Sequence, residues 1–186
     1  LFHDRNAICP ESATCDYVKA GNAFAAGEVA MMVNWFGFAA MSETIDASKI
    51  KRKTAIAAIP SESGRGISLN AYWIMGIPAG SRHKDTAWKF LAHCAGPEMD
   101  KLLTLEGGIG CRKSTWSDSE VNSLIPYYHR LETLHENARD LPRLTNWSSF
   151  AKVIDQMMRD AIQTDKPIAA IMAKAQKAAR LIELKE

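Results

Sequence analysis

The chain has 186 residues, 47% apolar and 24% charged, and its 23 basic residues nearly match 21 acidic ones for a formal net charge of +2. That balance excludes a disordered chain, and the scattered charge excludes an electrostatic nucleic-acid surface. No run approaches the roughly 18 uninterrupted apolar residues of a membrane span, so no direct membrane insertion is expected.

Residues 1–11 read as irregular. A helix is expected over 12–26, beginning near Ser12 or Thr14, with Tyr17, Ala20 and Phe24 on one face and Gly27 as its stop. The run from Val29 to Val33 reads as a strand covered on both faces. The turn Asn34-Trp35-Phe36-Gly37 follows it, and a short helix is expected over 36–44. Lys51-Arg52-Lys53, the longest basic run, reads as a solvated turn because no aromatics flank it.

A second buried strand is expected at AIAAIP, residues 55–60, stopped by Pro60. Residues 61–66 form a loop by composition, and 67–78 supply a third extended stretch whose better strand is Trp73 to Ile77. Helices fill the remainder. HKDTAWKFLAHC repeats Ala87, Phe90, Leu91 and Cys94 at helical spacing. Gly96-Pro97 stops that helix and starts another over 98–106, which ends at Gly107-Gly108. A longer helical region is expected over 118–138 despite Pro126. Residues 147–164 carry the clearest apolar stripe, through Phe150, Val153, Ile154, Met157, Met158, Ala161 and Ile162. Asp165 and Pro167 start the last helix. The result is an α/β chain, a small sheet first and a helical C-terminal half.

Four cysteines are present, and Cys9 and Cys15 enclose a five-residue loop that a disulfide would close. A Cys9–Cys15 bridge is expected, with four reduced thiols as the alternative. The chain opens on Leu1 without a basic or apolar leader, which reads as a processed product, a truncation or an excised domain.

Signatures of catalysis are missing. There is no GxSxG, HExxH, CxxC or Walker sequence, and Gly108-Ile-Gly110 is half a dinucleotide motif placed after a helix. His129 and His135 lie six apart and would not share a helix face for a metal. Asp118 and Glu120 read as helix-start residues that favour the local dipole. No enzyme, cofactor or metal is expected.

Taken together, four segments resemble the extracellular solute-binding proteins of ABC importers, the sugar-type branch. FAAGEVAMMVNW is similar to an F-x-x-G-x-x-A-M signature, and AIAAIP to the Pro-ended strand that follows it. SLNAYWIMGIPAGSRHKDTAWKFLAHCAGPEMDKLLTLEGGIGCRKS resembles the ligand-lobe strand, its helix and a glycine turn. WSSFAKVIDQMMRDAIQTDKPIAAIMAKAQKAARLI resembles paired terminal helices. The resemblance spans roughly 12–184. It departs at Asn70-Ala71-Tyr72, where the family shows Gly-Gly, and at Cys111, where the family shows Pro.

The resemblance implies a single C-terminal ligand-binding lobe over 1–186, its terminal helices at about 147–184, without the N-terminal lobe. It implies capture of a small, carbohydrate-like solute without turnover, and delivery to the transmembrane subunits of an ABC permease. It implies a periplasmic or extracellular location, free or as a membrane-anchored lipoprotein. A fragment of an enzyme lacking its catalytic half and a helical interaction module are the rival readings.

Sugars present a face of C–H groups and an edge of hydroxyls, so rings and planar polar groups are sought. Trp35 ends a strand, where open α/β sheets bind ligands, and Asn34 stands beside it. Tyr72 and Trp73 are adjacent and point to opposite faces of a strand, so one of them faces the cleft. Asn70 shares the side of Tyr72. Arg112 offers a fork for vicinal hydroxyls, a carboxylate or a phosphate. Trp147, before a long helix, caps the cleft or packs. Trp88 and Trp116 are set aside, the first on a helix flank and the second in a loop.

Overall fold

The computed structural model describes residues 14–62 and 64–184. The chain divides into two units, one covering 14–140 and the other 141–184 among these residues.

In the first unit, Asp16 caps helix α1 (Tyr17–Ala25) by accepting the Lys19 N–H at 2.8 Å. A short side-chain oxygen there satisfies an otherwise orphaned helix donor, so the helix starts here and not at Thr14, while Ser12 lies outside the described residues. Gly27, at φ +75°, turns the chain out of the helix. Helix α2 (Phe36–Thr44) lies against α1, with the Tyr17 and Phe38 rings 5.9 Å apart. After α2, the buried Glu43 carboxylate accepts from the Arg52 N–H at 2.7 Å and the Thr54 hydroxyl at 2.8 Å. The basic run is a turn, as expected. It is also an anchor: Arg52 sits at φ 59°, and its guanidinium donates to the Ser123 carbonyl at 2.7 Å.

The sheet departs from expectation. Among the described residues it consists of β1 (Ser68–Leu69) and β2 (Ala138–Arg139), parallel, with Ser68 opposite Ala138 and Leu69 opposite Arg139. The expected strands at 29–34, 55–60 and 73–77 join no ladder, and Met31 and Ile74 are 86% and 91% exposed. An apolar run sets an extended backbone, but a strand exists only where a partner supplies the ladder, and that is a long-range matter.

The helices follow expectation more closely. Helix α3 spans Lys84–Cys94 and α4 spans Pro97–Leu105, with Pro97 in the first turn. The region read as one helix over 118–138 is broken. Helix α6 (Ser119–Leu124) stops before Pro126, a 3-10 turn covers Tyr128–Arg130, and α7 covers Leu131–Glu136. Proline removes a backbone donor and disfavours helix at the residue before it, so the break is local in origin. Asp118 caps α6 through the N–H groups of Glu120 and Val121. A four-residue helix, α5 (Lys113–Trp116), was not expected. The core gathers Ala40, Trp116, Val121, Ile125, Tyr127 and Tyr128, with Phe36 and Ile109 packed on it.

In the second unit, α8 (Trp147–Gln163) and α9 (Ile168–Arg180) pair. Ile171 is buried between them, and Asp160 accepts from Gln156 at 2.7 Å and Lys174 at 3.4 Å.

Cys15 is a free thiol 3.5 Å from the Asp16 carbonyl, so the expected bridge to Cys9 is not formed. Cys9 lies outside the described residues. Cys94 and Cys111 are also free. No described helix is long and apolar enough to cross a membrane.

Candidate functional site

The turn after α4 is built around a carboxylate. Asp100, 8% exposed on α4, accepts from the Thr115 hydroxyl at 2.6 Å, the Cys111 N–H at 2.8 Å and the Arg112 N–H at 3.3 Å. One buried anion thus gathers the loop and the start of α5, because ionised acceptors make the stronger hydrogen bonds. Gly110 is squeezed between them. A Cβ there would lie 2.5 Å from Thr104 Oγ1 and 2.6 Å from Asp100 Oδ2, closer than atoms approach. The Gly110 N–H donates to the Tyr128 hydroxyl at 2.9 Å, and its carbonyl accepts from Trp116 Nε1 at 2.8 Å.

Trp116 is therefore fixed from behind, and it carries a stack. The His135 ring lies on it at 5.6 Å and 29°, and the Tyr72 ring lies on His135 at 5.9 Å and 26°. Tyr72 and His135 also share a hydrogen bond, hydroxyl to Nε2, of 2.7 Å. Tyr72 remains 48% exposed. Its phenol is pushed above the ordinary value of 10.0, first by burial and then by the nearby Cys111 charge. Two residues earlier, the Asn70 N–H extends the ladder to the Arg139 carbonyl at 2.8 Å, and its side chain donates to Asp140 at 2.8 Å.

Trp35 sits where the sequence places it, at the end of an extended segment and the start of α2, and it is 44% exposed. Its side chain makes no capping bond. Asn34 holds the turn, donating to the Tyr17 carbonyl at 2.8 Å and accepting from the Trp35 N–H at 2.8 Å. The next residue, Phe36, meets Tyr128 edge-on at 5.4 Å, so the Trp35 turn and the glycine turn rest on the same tyrosine.

The other expected residues are placed differently. Trp73 is wholly exposed, beside Tyr72 but outside the stack. Arg112 is exposed, and its fork closes on the Ala95 carbonyl that ends α3, from Nε at 2.9 Å and from Nη2. Trp147 belongs to the second unit, where its ring stacks on Phe150 at 6.3 Å.

Three contributors were not legible as such. Asp100 carried no local signal, since its partners lie 11 to 15 residues away. Trp116 reads as a loop residue, since α5 is too short to show a period. In the sequence His135 stands out only as a potential metal ligand, and its stacking partners lie far along the chain. Among the described residues no group of three His, Cys, Asp or Glu is placed to hold a metal ion. Two grooves lie away from these rings. One, of about 230 Å³, is lined by Pro97, Glu98, Lys101, Ser114, Thr115 and Asp118. The other, of about 200 Å³, runs between α8 and α9.

The buried phenols set an alkaline limit. Burial raises both Tyr127 and Tyr128 above the ordinary 10.0, and the negative charges of Glu43 and Asp100 respectively add to it. A raised acid keeps its proton in the fold and loses it first in the unfolded chain. Its stabilising effect is whole below pH 10.0 and drains away as pH rises through the folded values. Urea midpoints are expected to fall as pH rises above 10.0. Tyr128→Phe should flatten that fall, and an equal slope in the variant would contradict the assignment.

The sequence matches the profile of the bacterial extracellular solute-binding proteins over residues 2–101, more than half of the 186. A search of curated proteins returned no match. Among solved structures, maltose-bound MalE3 of T. maritima is similar with a TM-score of 0.81 and 22% identity. That similarity covers 98% of this chain and 48% of the other, so this chain spans about half the length of the protein it matches. The likeness is one of fold.

Proposed function

Since this chain belongs to the family of bacterial extracellular solute-binding proteins, we propose that it captures a sugar or sugar derivative and delivers it to an ABC-type permease. The observation that carries this reading is a pair of half-exposed rings, Trp35 and Tyr72: Tyr72 rests on His135, and the residue after Trp35, Phe36, packs on the buried Tyr128. Rings so mounted shield the C–H face of a sugar at little further ordering cost. Asn34, next to Trp35, and Asn70, two residues before Tyr72, are the polar groups of this reading, with Arg112 joining them if its fork leaves the Ala95 carbonyl, and Trp73 offers a third, exposed ring. The maltose carried by the T. maritima protein of the same fold agrees with this chemistry.

The chain acts as the C-terminal lobe of a two-lobe receptor. Solute touching both lobes stabilises the closed arrangement, which the permease reads at the outer face of the membrane. Binding proceeds without turnover.

Thermal shift of the full-length protein against a carbohydrate panel, maltose included, tests the reading. A ligand at about 100 times its Kd adds about 2.7 kcal/mol and raises the melting temperature. Trp35→Ala is expected to weaken binding by at least roughly 10-fold, a typical loss for a central aromatic anchor. The melting temperature of the unliganded variant, measured beside it, separates lost ligand contact from lost packing of this half-exposed ring. A panel in which no sugar raises the melting temperature would falsify the proposal.

A further inference from the structure

We propose that His135 is a positioning residue for solute capture: it holds the Tyr72 ring in the orientation that receives the ligand. This role rests on the capture reading above.

Tyr72 has little else to hold it. It lies in an extended segment outside the ladder, and its neighbours Ala71 and Trp73 are exposed. Asn70 ties the backbone two residues earlier but does not constrain the Tyr72 side chain. The ring is held by His135, which bonds its hydroxyl at 2.7 Å and lies against its face. The other face of this link is the Trp116 ring, on which His135 also stacks, and the Trp116 indole N–H is in turn fixed on the Gly110 carbonyl. The imidazole thus links a buried indole to a half-exposed phenol. It passes the rigidity of the core to a surface ring that its own backbone leaves free. A ring already ordered loses less freedom when a ligand arrives, and binding tightens accordingly.

His135→Phe keeps a ring on Trp116 and removes the bond to Tyr72. His135→Gln places an amide near the Nε2 position and removes the stack. In the full-length protein, His135→Phe is expected to weaken affinity for the best carbohydrate of the panel by roughly 5-fold to 10-fold, with His135→Gln between it and wild type. Tyr72→Ala lowers affinity further. In that background His135→Phe is expected to change affinity by less than about 2-fold, since a residue acting through another has nothing left to act on. A merely structural histidine would show the same loss in both backgrounds, and that result overturns the role, as does wild-type affinity in His135→Phe. Should wild type bind no carbohydrate, the capture reading falls and this role falls with it. Binding by wild type with an uncoupled His135 removes the role alone.

Discussion

Asp100→Ala is expected to lower the stability of the 14–140 unit by about 3–4 kcal/mol, as read by urea denaturation. The carboxylate is 8% exposed and accepts three bonds, from Thr115, Cys111 and Arg112. Hydrogen bonds to a charged acceptor contribute about 1.5–3 kcal/mol each, and the sum is smaller because water reaches two of the donors. Cys111 and Arg112 are exposed, so their N–H groups find solvent once the carboxylate is gone. The Thr115 hydroxyl is not so placed, since that residue is 2% exposed and loses a 2.6 Å partner. Asp100→Asn should fall between, because an amide retains an acceptor but turns a donor toward other donors. A loss under about 1 kcal/mol for the alanine variant would show that the glycine turn holds without its anion.

The second large effect is expected at Tyr128. Tyr128→Ala should destabilise the same unit by about 4 kcal/mol, through the cavity it leaves and the donor it orphans. The side chain is fully buried, Phe36 meets its ring at 5.4 Å, and its hydroxyl accepts the Gly110 N–H. Tyr128→Phe separates these parts, keeping the volume and removing the acceptor, at about 1–2 kcal/mol. The alanine variant also loosens the mount of Trp35, one residue from Phe36. Carbohydrate affinity should therefore fall more in Tyr128→Ala than in Tyr128→Phe. Equal affinity in the two, with both folded, would break the link between this tyrosine and the proposed binding wall.

Both effects arise from one arrangement. A buried acid, a crowded glycine and a buried phenol lock the turn that ends α4 to the start of α2. That turn backs Trp116 and His135 under Tyr72 on one side, and the Trp35 turn on the other. The rings proposed to meet solute are surface groups whose placement is decided in the core.

Local features announced themselves in the chain. Helices α3, α4, α8 and α9 lie where their apolar spacing and their Gly or Pro punctuation put them, within a residue or two. The Trp35 turn, the Asp118 cap and the family segments were legible for the same reason, because each depends on residues a few positions apart. Long-range pairing decided the rest. The runs around Met31 and Ile74 read as strands, the first covered on both faces, yet burial and laddering depend on partners far along the chain, and both stand exposed. Ser68–Leu69 pairs with Ala138–Arg139 across about 70 residues, and Tyr72 meets His135 across 63. Contacts at such separation leave no periodic trace in a single sequence, so the His135 stack and the Asp100 turn were visible only once the chain was folded.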